Sequence, residues 1–77
     1  MNRITKKIVK ELSGIEDIRA VILYGSFARN EATSRSDIDL FILISEKKTQ
    51  KFVEDKIISL EQELGRNIQP TIRTLKE

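Results

Sequence analysis

The chain of 77 residues contains neither cysteine nor histidine. Without cysteine it can form neither a disulfide bond nor a thiolate metal site. The absence of histidine removes the usual zinc ligand and also the commonest general base. Any catalysis by this chain must therefore depend on carboxylates, bound cations and backbone N–H donors.

Long apolar segments are absent as well. The apolar run from Leu40 to Ile44 is far too short to cross a bilayer, and the first residues lack the apolar segment of a signal peptide. These features predict a cytoplasmic protein without membrane contact. The net charge of +2 is small, so it permits a phosphate-bearing ligand but does not indicate direct nucleic-acid binding.

The composition is that of an ordinary globular protein. Hydrophobic residues make up 39% of the chain and charged residues 34%, a balance that is not typical of disorder. The length predicts a single domain over residues 1–77. A chain of this size buries only about 60–65% of its unfolded surface. We therefore expect a homo-oligomer or a protein partner that covers apolar surface.

The hydrophobic periodicity divides the chain into five elements. Apolar residues at helical spacing predict helices over residues 3–13 and 49–64. Apolar, β-branched runs predict strands over residues 18–24, 37–44 and 67–75. The order αββαβ predicts an α/β (α+β) domain, with helices packed against a small mixed sheet.

Details of these elements follow from single residues. The first two strands are nearly continuous in apolar residues, which predicts burial on both faces and places Tyr24 in the core. Pro70 predicts that the last strand lies at an edge or contains a bulge. Asn2 is a candidate N-cap, and Gly14 and Gly65 are candidates for left-handed residues that end the two helices.

Two short polar motifs lie at the ends of the first two predicted strands. Gly25 and Ser26 follow the first, and Asp37 and Asp39 open the second. Side chains alternate along a strand, so the two aspartates should share one face. Two close carboxylates repel each other unless a cation lies between them, and Mg²⁺ prefers such oxygen ligands. The pair is therefore a candidate Mg²⁺ site.

The Gly-Ser pair suits a phosphate. Glycine after a strand permits a sharp turn and a close approach of a ligand. Ser26 offers a hydroxyl and can cap a short turn that runs to Arg29, where backbone N–H groups form an anion site. Arg29 projects from this turn and is a candidate phosphate ligand.

Residues 23–42, LYGSFARNEATSRSDIDLFI, resemble the signature of the minimal nucleotidyltransferases, the smallest members of the DNA polymerase β-like nucleotidyltransferase superfamily. That signature is Gly-Ser, ten residues, then Asp-x-Asp, and the chain meets it without a gap. The resemblance extends to the leading helix, to the second helix with Leu64-Gly65-Arg66 at its end, and to the closing strand.

The resemblance implies an activity and a partner. Members of the superfamily transfer a nucleoside monophosphate, usually AMP from ATP, to a hydroxyl acceptor and release pyrophosphate. By position, Gly25, Ser26 and Arg29 would bind the nucleotide, and Asp37 and Asp39 would be the catalytic residues that hold Mg²⁺. The minimal proteins are similar to antitoxins of toxin–antitoxin systems, encoded beside a helical HEPN-domain protein. Some of them adenylylate a tyrosine of that partner and silence its RNase activity.

The chain departs from the family pattern at two positions. Gln69 stands where active members have a third carboxylate. The rest of the terminal segment provides no replacement, since only Glu77 is acidic there. Gln69 cannot act as a base for the attacking hydroxyl, although its amide oxygen can accept a hydrogen bond. Asn30 replaces a small glycine that usually follows the turn, and asparagine tolerates left-handed backbone.

Three alternatives remain open from the sequence. The chain could be a non-catalytic binding module with the same fold, which acts by covering a helical partner; Gln69 favours this reading. It could also be one domain of a regulator with a DNA-binding part elsewhere. Finally, Asp37 and Asp39 could be a solvent-facing pair beside Arg35 or Arg73.

Overall fold

The chain folds as a helix, two strands, a second helix and a third strand. A computed structural model describes residues 3–29, 31–33 and 35–75. The elements are α1 (Arg3–Ser13), β1 (Ile18–Tyr24), β2 (Ile38–Ile44), a short 3₁₀ turn (Lys47–Thr49), α2 (Gln50–Leu64) and β3 (Ile68–Thr74). The predicted order αββαβ is confirmed, and each boundary lies within one residue of its predicted position.

The three strands form one mixed sheet in the order β1-β2-β3. β1 pairs with β2 antiparallel, and β2 pairs with β3 parallel. β3 is therefore an edge strand of the described sheet, as the single proline of the chain predicts, and Pro70 pairs in register with Leu40. The predicted α/β fold with a small mixed sheet is confirmed.

Only one face of this sheet is covered within the described residues. On β2, the side chains from Ile38 to Ile44 alternate between buried and half-buried. The neighbouring strand exposes 53% of Ile22 and 44% of Tyr24. The predictions that β1 and β2 are buried on both faces, and that Tyr24 lies in the core, are thus wrong. Both helices pack on the same side, so the described chain has no element left for the opposite face, here called the outer face.

The core lies between the two helices and the covered face of the sheet. It contains Ile8 and Leu12 of α1, Val53, Ile57 and Leu60 of α2, and alternate residues of β2 and β3. These are the apolar faces predicted from helical spacing. Phe52, which flanks that face in the sequence, is instead 59% exposed.

The two predicted helix ends differ in outcome. Gly65 is left-handed with φ of 65° and ends α2, as predicted. Gly14 is not among the glycines with positive φ, so that prediction is wrong. The chain instead leaves α1 through a turn in which the N–H of Ile15 donates to the carbonyl of Leu12. Asn2 lies outside the described residues.

Charged side chains tie α1 to α2. Lys7 bonds to Glu11 and to Glu63, each at 2.9 Å, and Lys56 bonds to Glu11 at 3.1 Å. The hydrogen bonds from Lys7 and Lys56 hold the pKa of the Glu11 carboxyl below its usual value. Because these groups face solvent, each pair adds little to stability alone, and the network mainly orients the helices. No helix in the described ranges has the length and apolarity needed to cross a bilayer.

A second polar network ties the α1–β1 connection to the segment before α2. The backbone N–H of Glu46 donates to Oδ2 of Asp17 at 3.1 Å, and the N–H of Ser45 donates to the Asp17 carbonyl at 3.1 Å. A hydrogen bond from the Thr49 side chain is the main cause that lowers the pKa of the Asp17 carboxyl. The ionised carboxylate thus helps to hold the chain where it enters α2.

Two isoleucines on neighbouring strands provide a matched test of the one-sided core. Ile42 is fully buried on the covered face, whereas Ile22 lies on the outer face. We expect Ile42→Ala to lower the free energy of unfolding by about 2–5 kcal/mol, because it opens a cavity. Ile22→Ala should cost less than about 1 kcal/mol. Urea unfolding measures both, and equal losses would contradict the assigned faces.

The hydrogen bonds to the Asp17 carboxylate should make the free energy of unfolding depend on pH in the acidic range. A folded-state pKa below the usual value means that the carboxylate stabilises the fold at neutral pH. This contribution is lost as the pH falls below about 4, the ordinary range of carboxyl pKa values. The stability difference between the wild type and Asp17→Asn should therefore shrink between pH 6 and pH 3. Glu16→Gln, one residue earlier at an exposed position, is the control. A constant difference for Asp17→Asn would refute the role of the carboxylate.

Candidate functional site

Asp39 stands in the middle of a row of polar side chains across the outer face. It is the second residue of β2 and pairs in register with Tyr24 of β1 and with Gln69 of β3. Paired residues of neighbouring strands project to the same side of a sheet. Asp39 is half-buried, and its two cross-strand partners, Tyr24 and Gln69, are exposed. The structure therefore places Gln69 beside Asp39, where the third carboxylate of the family pattern was expected.

Gly25 touches the carboxylate of Asp39. It directly follows β1 and has φ of 77°, in the left-handed region that favours glycine. A Cβ built on this residue would lie 2.2 Å from Oδ2 of Asp39. No other amino acid fits there without moving the carboxylate. The Gly-Ser turn and the Asp-x-Asp strand thus meet at one point, although twelve residues of sequence lie between Ser26 and Asp39.

The turn after Gly25 is held by backbone hydrogen bonds and by one buried side chain. The N–H of Arg29 donates to the Gly25 carbonyl at 3.1 Å, and the N–H of Glu31 donates to the Ser26 carbonyl at 2.8 Å. Phe27 is buried and belongs to the core. Ser26 is half-buried at the start of this turn. The segment remains a turn and does not form a regular helix.

Arg29 lies at the surface of this turn. Its side chain is 64% exposed and forms an ion pair with Glu31. The side chain is long and exposed, so a phosphate at Ser26 could compete with Glu31 for its guanidinium. Its predicted part in nucleotide binding stays a prediction. Asn30 lies outside the described residues.

Asp37 precedes β2 and is exposed. Asp37 is one of the residues that line a cleft of about 250 Å³; the others are Arg35, Ser36, Gly65, Arg66 and Asn67. The N–H of Ile38 donates to the carbonyl of Asn67 at 3.0 Å, which joins the beginnings of β2 and β3 directly behind Asp37.

The alternative interpretation placed the two aspartates in solvent beside Arg35 or Arg73. Among the described residues, no ion pair includes Asp37 or Asp39. Arg73, one of the two candidate partners, donates to the carbonyl of Ile72 at 3.0 Å. Within the described residues neither carboxylate is therefore neutralised by an ion pair, although Arg35 and Arg66 line the same cleft as Asp37. A bound metal ion would compensate this charge.

Arg66 is a residue of this region to which the sequence interpretation gave no role of its own. Its Nη2 donates to the carbonyl of Thr33 at 2.9 Å and to that of Ser36 at 3.0 Å. Its guanidinium carbon lies 5.0 Å from the centroid of the Phe27 ring. The sequence offered no signal for these contacts, because Arg66 lies 33 positions from Thr33 and 30 from Ser36.

The donor set fits a hard cation. The site offers the two carboxylates, both reachable from solvent, and the amide oxygen of Gln69 beside one of them. The chain contains no histidine and no cysteine, so Mg²⁺ fits these residues and Zn²⁺ does not. Within the described residues, no three acidic side chains come close enough together to form a larger metal cluster. Glu77, the only acidic residue of the terminal segment, lies outside the described residues.

Comparison with known proteins gives a family match. The family described as "Polymerase beta, Nucleotidyltransferase" matches residues 6–76. Two proteins of Methanocaldococcus jannaschii named "Putative protein adenylyltransferase" are similar to the chain. One is 39% identical over 59 residues, which are 74% of this chain and 59% of that protein. The other is 40% identical over 42 residues, which are 54% of this chain and 43% of that protein.

The chain therefore spans less than two thirds of the length of either relative. No solved structure matches it.

The contact between Gly25 and Asp39 is testable by substitution. Gly25→Ala should lower the free energy of unfolding by more than the backbone strain of an alanine at positive φ. The additional loss arises because the new methyl group must displace the Asp39 carboxylate. Gly65→Ala is the matched control. It has nearly the same φ, 65°, but a Cβ there meets nothing within 4 Å. It should cost only backbone strain, about 1–3 kcal/mol.

A double-mutant cycle isolates the clash. Asp39→Ala removes the carboxylate, so it should recover part of the stability that Gly25→Ala loses, with a coupling of roughly 0.5–3 kcal/mol. The same Asp39 substitution should not rescue Gly65→Ala. Additive losses for Gly25 and Asp39 in urea unfolding would show that the two residues do not interact.

Proposed function

The chain belongs to the Polymerase beta nucleotidyltransferase family, and on this basis we propose that it binds Mg²⁺–ATP and transfers AMP to a hydroxyl group of a protein. Gly25, Ser26 and Arg29 bind the nucleotide, and Asp37 and Asp39 are the catalytic residues that hold the metal ion. The acceptor is a helical protein of the HEPN type, for which the chain serves as an antitoxin-like partner.

One observation supports this site above the others. The Cβ position of residue 25 lies 2.2 Å from Oδ2 of Asp39. The turn suited to a triphosphate and the second carboxylate of the Asp-x-Asp motif are therefore in contact. A triphosphate held by the turn places its metal-binding oxygens next to these carboxylates. An Asp-x-Asp pair facing solvent by chance would not require this contact.

Each residue has a distinct task in the proposed site. Left-handed Gly25 has no side chain, so its backbone comes close to Asp39 and to the ligand. Ser26 offers its hydroxyl to a phosphate oxygen, and Arg29 adds positive charge from the surface of the turn. Asp37 and Asp39 supply oxygen ligands. When bound, Mg²⁺ neutralises phosphate charge and orients the triphosphate.

The transfer is a displacement at the α-phosphorus. The acceptor hydroxyl oxygen forms a bond to this phosphorus, the bond to the bridging oxygen of the β-phosphate breaks, and pyrophosphate leaves. Gln69 lies beside Asp39 and can accept a hydrogen bond from the hydroxyl, which orients it. Gln69 cannot remove the proton, so the proton passes to solvent. A slow transfer is the consequence.

Two observations support a protein acceptor. The similar proteins are named as protein adenylyltransferases. In addition, Ile22 and Tyr24 are exposed on the outer face, the same face as Asp39. A protein that buries this apolar surface would bring its hydroxyl to the carboxylates.

The second candidate function is a non-catalytic binding module. It is favoured by the neutral Gln69 in register with Asp39, because the third carboxylate of active members is then missing beside the metal site. In this case the chain keeps nucleotide binding and acts by covering its partner. Both candidate functions include Mg²⁺-dependent nucleotide binding, and calorimetric titration with ATP tests it. Binding should require Mg²⁺ under either function, and metal-independent binding would refute the proposed site.

Removal of both carboxylates should abolish metal-dependent binding. We expect Asp37→Asn with Asp39→Asn to bind no ATP in the presence of Mg²⁺, while the fold stays intact because like-charge repulsion is relieved. Glu54→Gln with Asp55→Asn is the control, since it removes the same charge from exposed positions of α2. Retained binding in the first double variant would rule out the metal role.

Restoration of the third carboxylate should raise transfer. Gln69→Asp places a carboxylate in register with Asp39, so it should increase Mn²⁺ affinity and the rate of AMP transfer from labelled ATP to the protein acceptor. Gln69→Asn matches the size of aspartate without its charge and should not. If Gln69→Asp and Gln69→Asn behave alike, residue 69 does not reach the reacting groups.

A further inference from the structure

We infer that Arg66 is the positioning residue of this site: its guanidinium holds the loop before Asp37 and thereby sets the metal affinity of the two aspartates. The inference rests on the proposed function and adds a residue that contacts neither metal nor nucleotide in it. Three features of Arg66 support this role: the contacts of its guanidinium, its position just after α2, and the planar shape of the group.

The guanidinium joins the two ends of a tight turn. Nη2 donates to the carbonyls of Thr33 and Ser36 at 2.9 and 3.0 Å. The N–H of Ser36 also donates to the Thr33 carbonyl at 3.1 Å. The Ser36 carbonyl belongs to the peptide group that continues into Asp37. Arg66 therefore fixes the plane of that peptide group and, with it, the direction in which Asp37 leaves the loop.

The same side chain also contacts the glycine–serine turn. Its guanidinium carbon lies 5.0 Å from the centroid of Phe27, within the range of a cation–π interaction. Phe27 is buried two residues after Gly25, the glycine that touches Asp39. Arg66 is thus in contact with both segments that carry the proposed site.

The end of α2 gives Arg66 a rigid base. Left-handed Gly65 ends the helix, and its N–H donates to the Glu61 carbonyl at 2.8 Å. The Glu61 carboxylate accepts the N–H of Ile68 at 2.8 Å, which fixes the first residue of β3. Arg66 lies between these two anchored residues, so its backbone is held from both sides.

Arginine is the side chain that suits these contacts. Its planar guanidinium can lie over an aromatic ring while one nitrogen donates to two carbonyls. Lysine keeps the positive charge but has a compact ammonium group that cannot do both in this arrangement. The charge-conserving change Arg66→Lys therefore separates the proposed role from a simple electrostatic one.

The decisive measurement is the binding of Mn²⁺ alone, followed by electron paramagnetic resonance, together with calorimetry of Mg²⁺–ATP. Arg66→Lys should weaken Mn²⁺ binding roughly 10- to 100-fold, as removal of a residue that orients metal ligands does. Arg73→Lys is the control, because Arg73 contacts the carbonyl of its own neighbour, Ile72. It should bind Mn²⁺ like the wild type.

Phe27→Leu provides a second variant that keeps an apolar residue in the core. It removes only the ring beneath the guanidinium, so we expect a loss of Mn²⁺ affinity in the same direction but smaller. Hydrogen exchange of the Ser36 amide supplies a readout without ligand: it should accelerate in Arg66→Lys and stay unchanged in Arg73→Lys.

The outcomes are distinct. If the wild type binds neither Mn²⁺ nor Mg²⁺–ATP, the proposed function fails and the inference fails with it. If the wild type binds both and Arg66→Lys binds Mn²⁺ equally well, only the inference is overturned. If Arg66→Lys binds Mn²⁺ like the wild type but binds Mg²⁺–ATP more weakly, Arg66 contacts phosphate directly. If Arg66→Lys binds Mn²⁺ like the wild type but its Ser36 amide exchanges faster, Arg66 supports the loop without affecting the metal.

Discussion

The contact between the backbone of Gly25 and the carboxylate of Asp39 is the constraint on which the candidate site depends. It favours glycine at position 25, because a Cβ would have to displace Oδ2 of Asp39 and the backbone there is left-handed. The contact also joins the C-terminal end of β1 to the N-terminal end of β2. Antiparallel pairing brings these two strand ends together at one end of the sheet. The Gly-Ser turn and the Asp-x-Asp motif become neighbours for this reason.

The one-sided core complements this arrangement. Both helices pack on the face that contains Leu40 and Ile42, so the opposite face remains open around Asp39. A sheet covered on both sides would have buried the carboxylate, at a large desolvation cost for the charged form. Ile22 and Tyr24 are exposed on the same face, because no element of the described chain covers it.

Arg66 contacts the loop between the Gly-Ser and Asp-x-Asp motifs. Arg66, which follows α2, donates to the carbonyls of Thr33 and Ser36 in the described part of this loop and lies over the ring of Phe27. The parallel pairing of β2 with β3 brings that helix end beside Asp37, since Ile38 bonds to the carbonyl of Asn67. One crossover connection therefore positions both Gln69 and Arg66 at the site.

The sequence by itself determined the five elements, their order and the spacing of the two motifs, because helical and strand periodicity and turn-forming glycines are local properties. The resemblance assigned Gln69 to the strand beside Asp-x-Asp, and in the structure Gln69 pairs in register with Asp39. The sequence could not reveal that Tyr24 is exposed or that the outer face is open. Which face a strand buries depends on where the helices pack, and an apolar run looks the same when it is covered on one side or two. Only the tertiary structure decided that Asp39 fills the space beside Gly25 and that Arg66 reaches Thr33, Ser36 and Phe27, because these contacts join residues that are far apart along the chain.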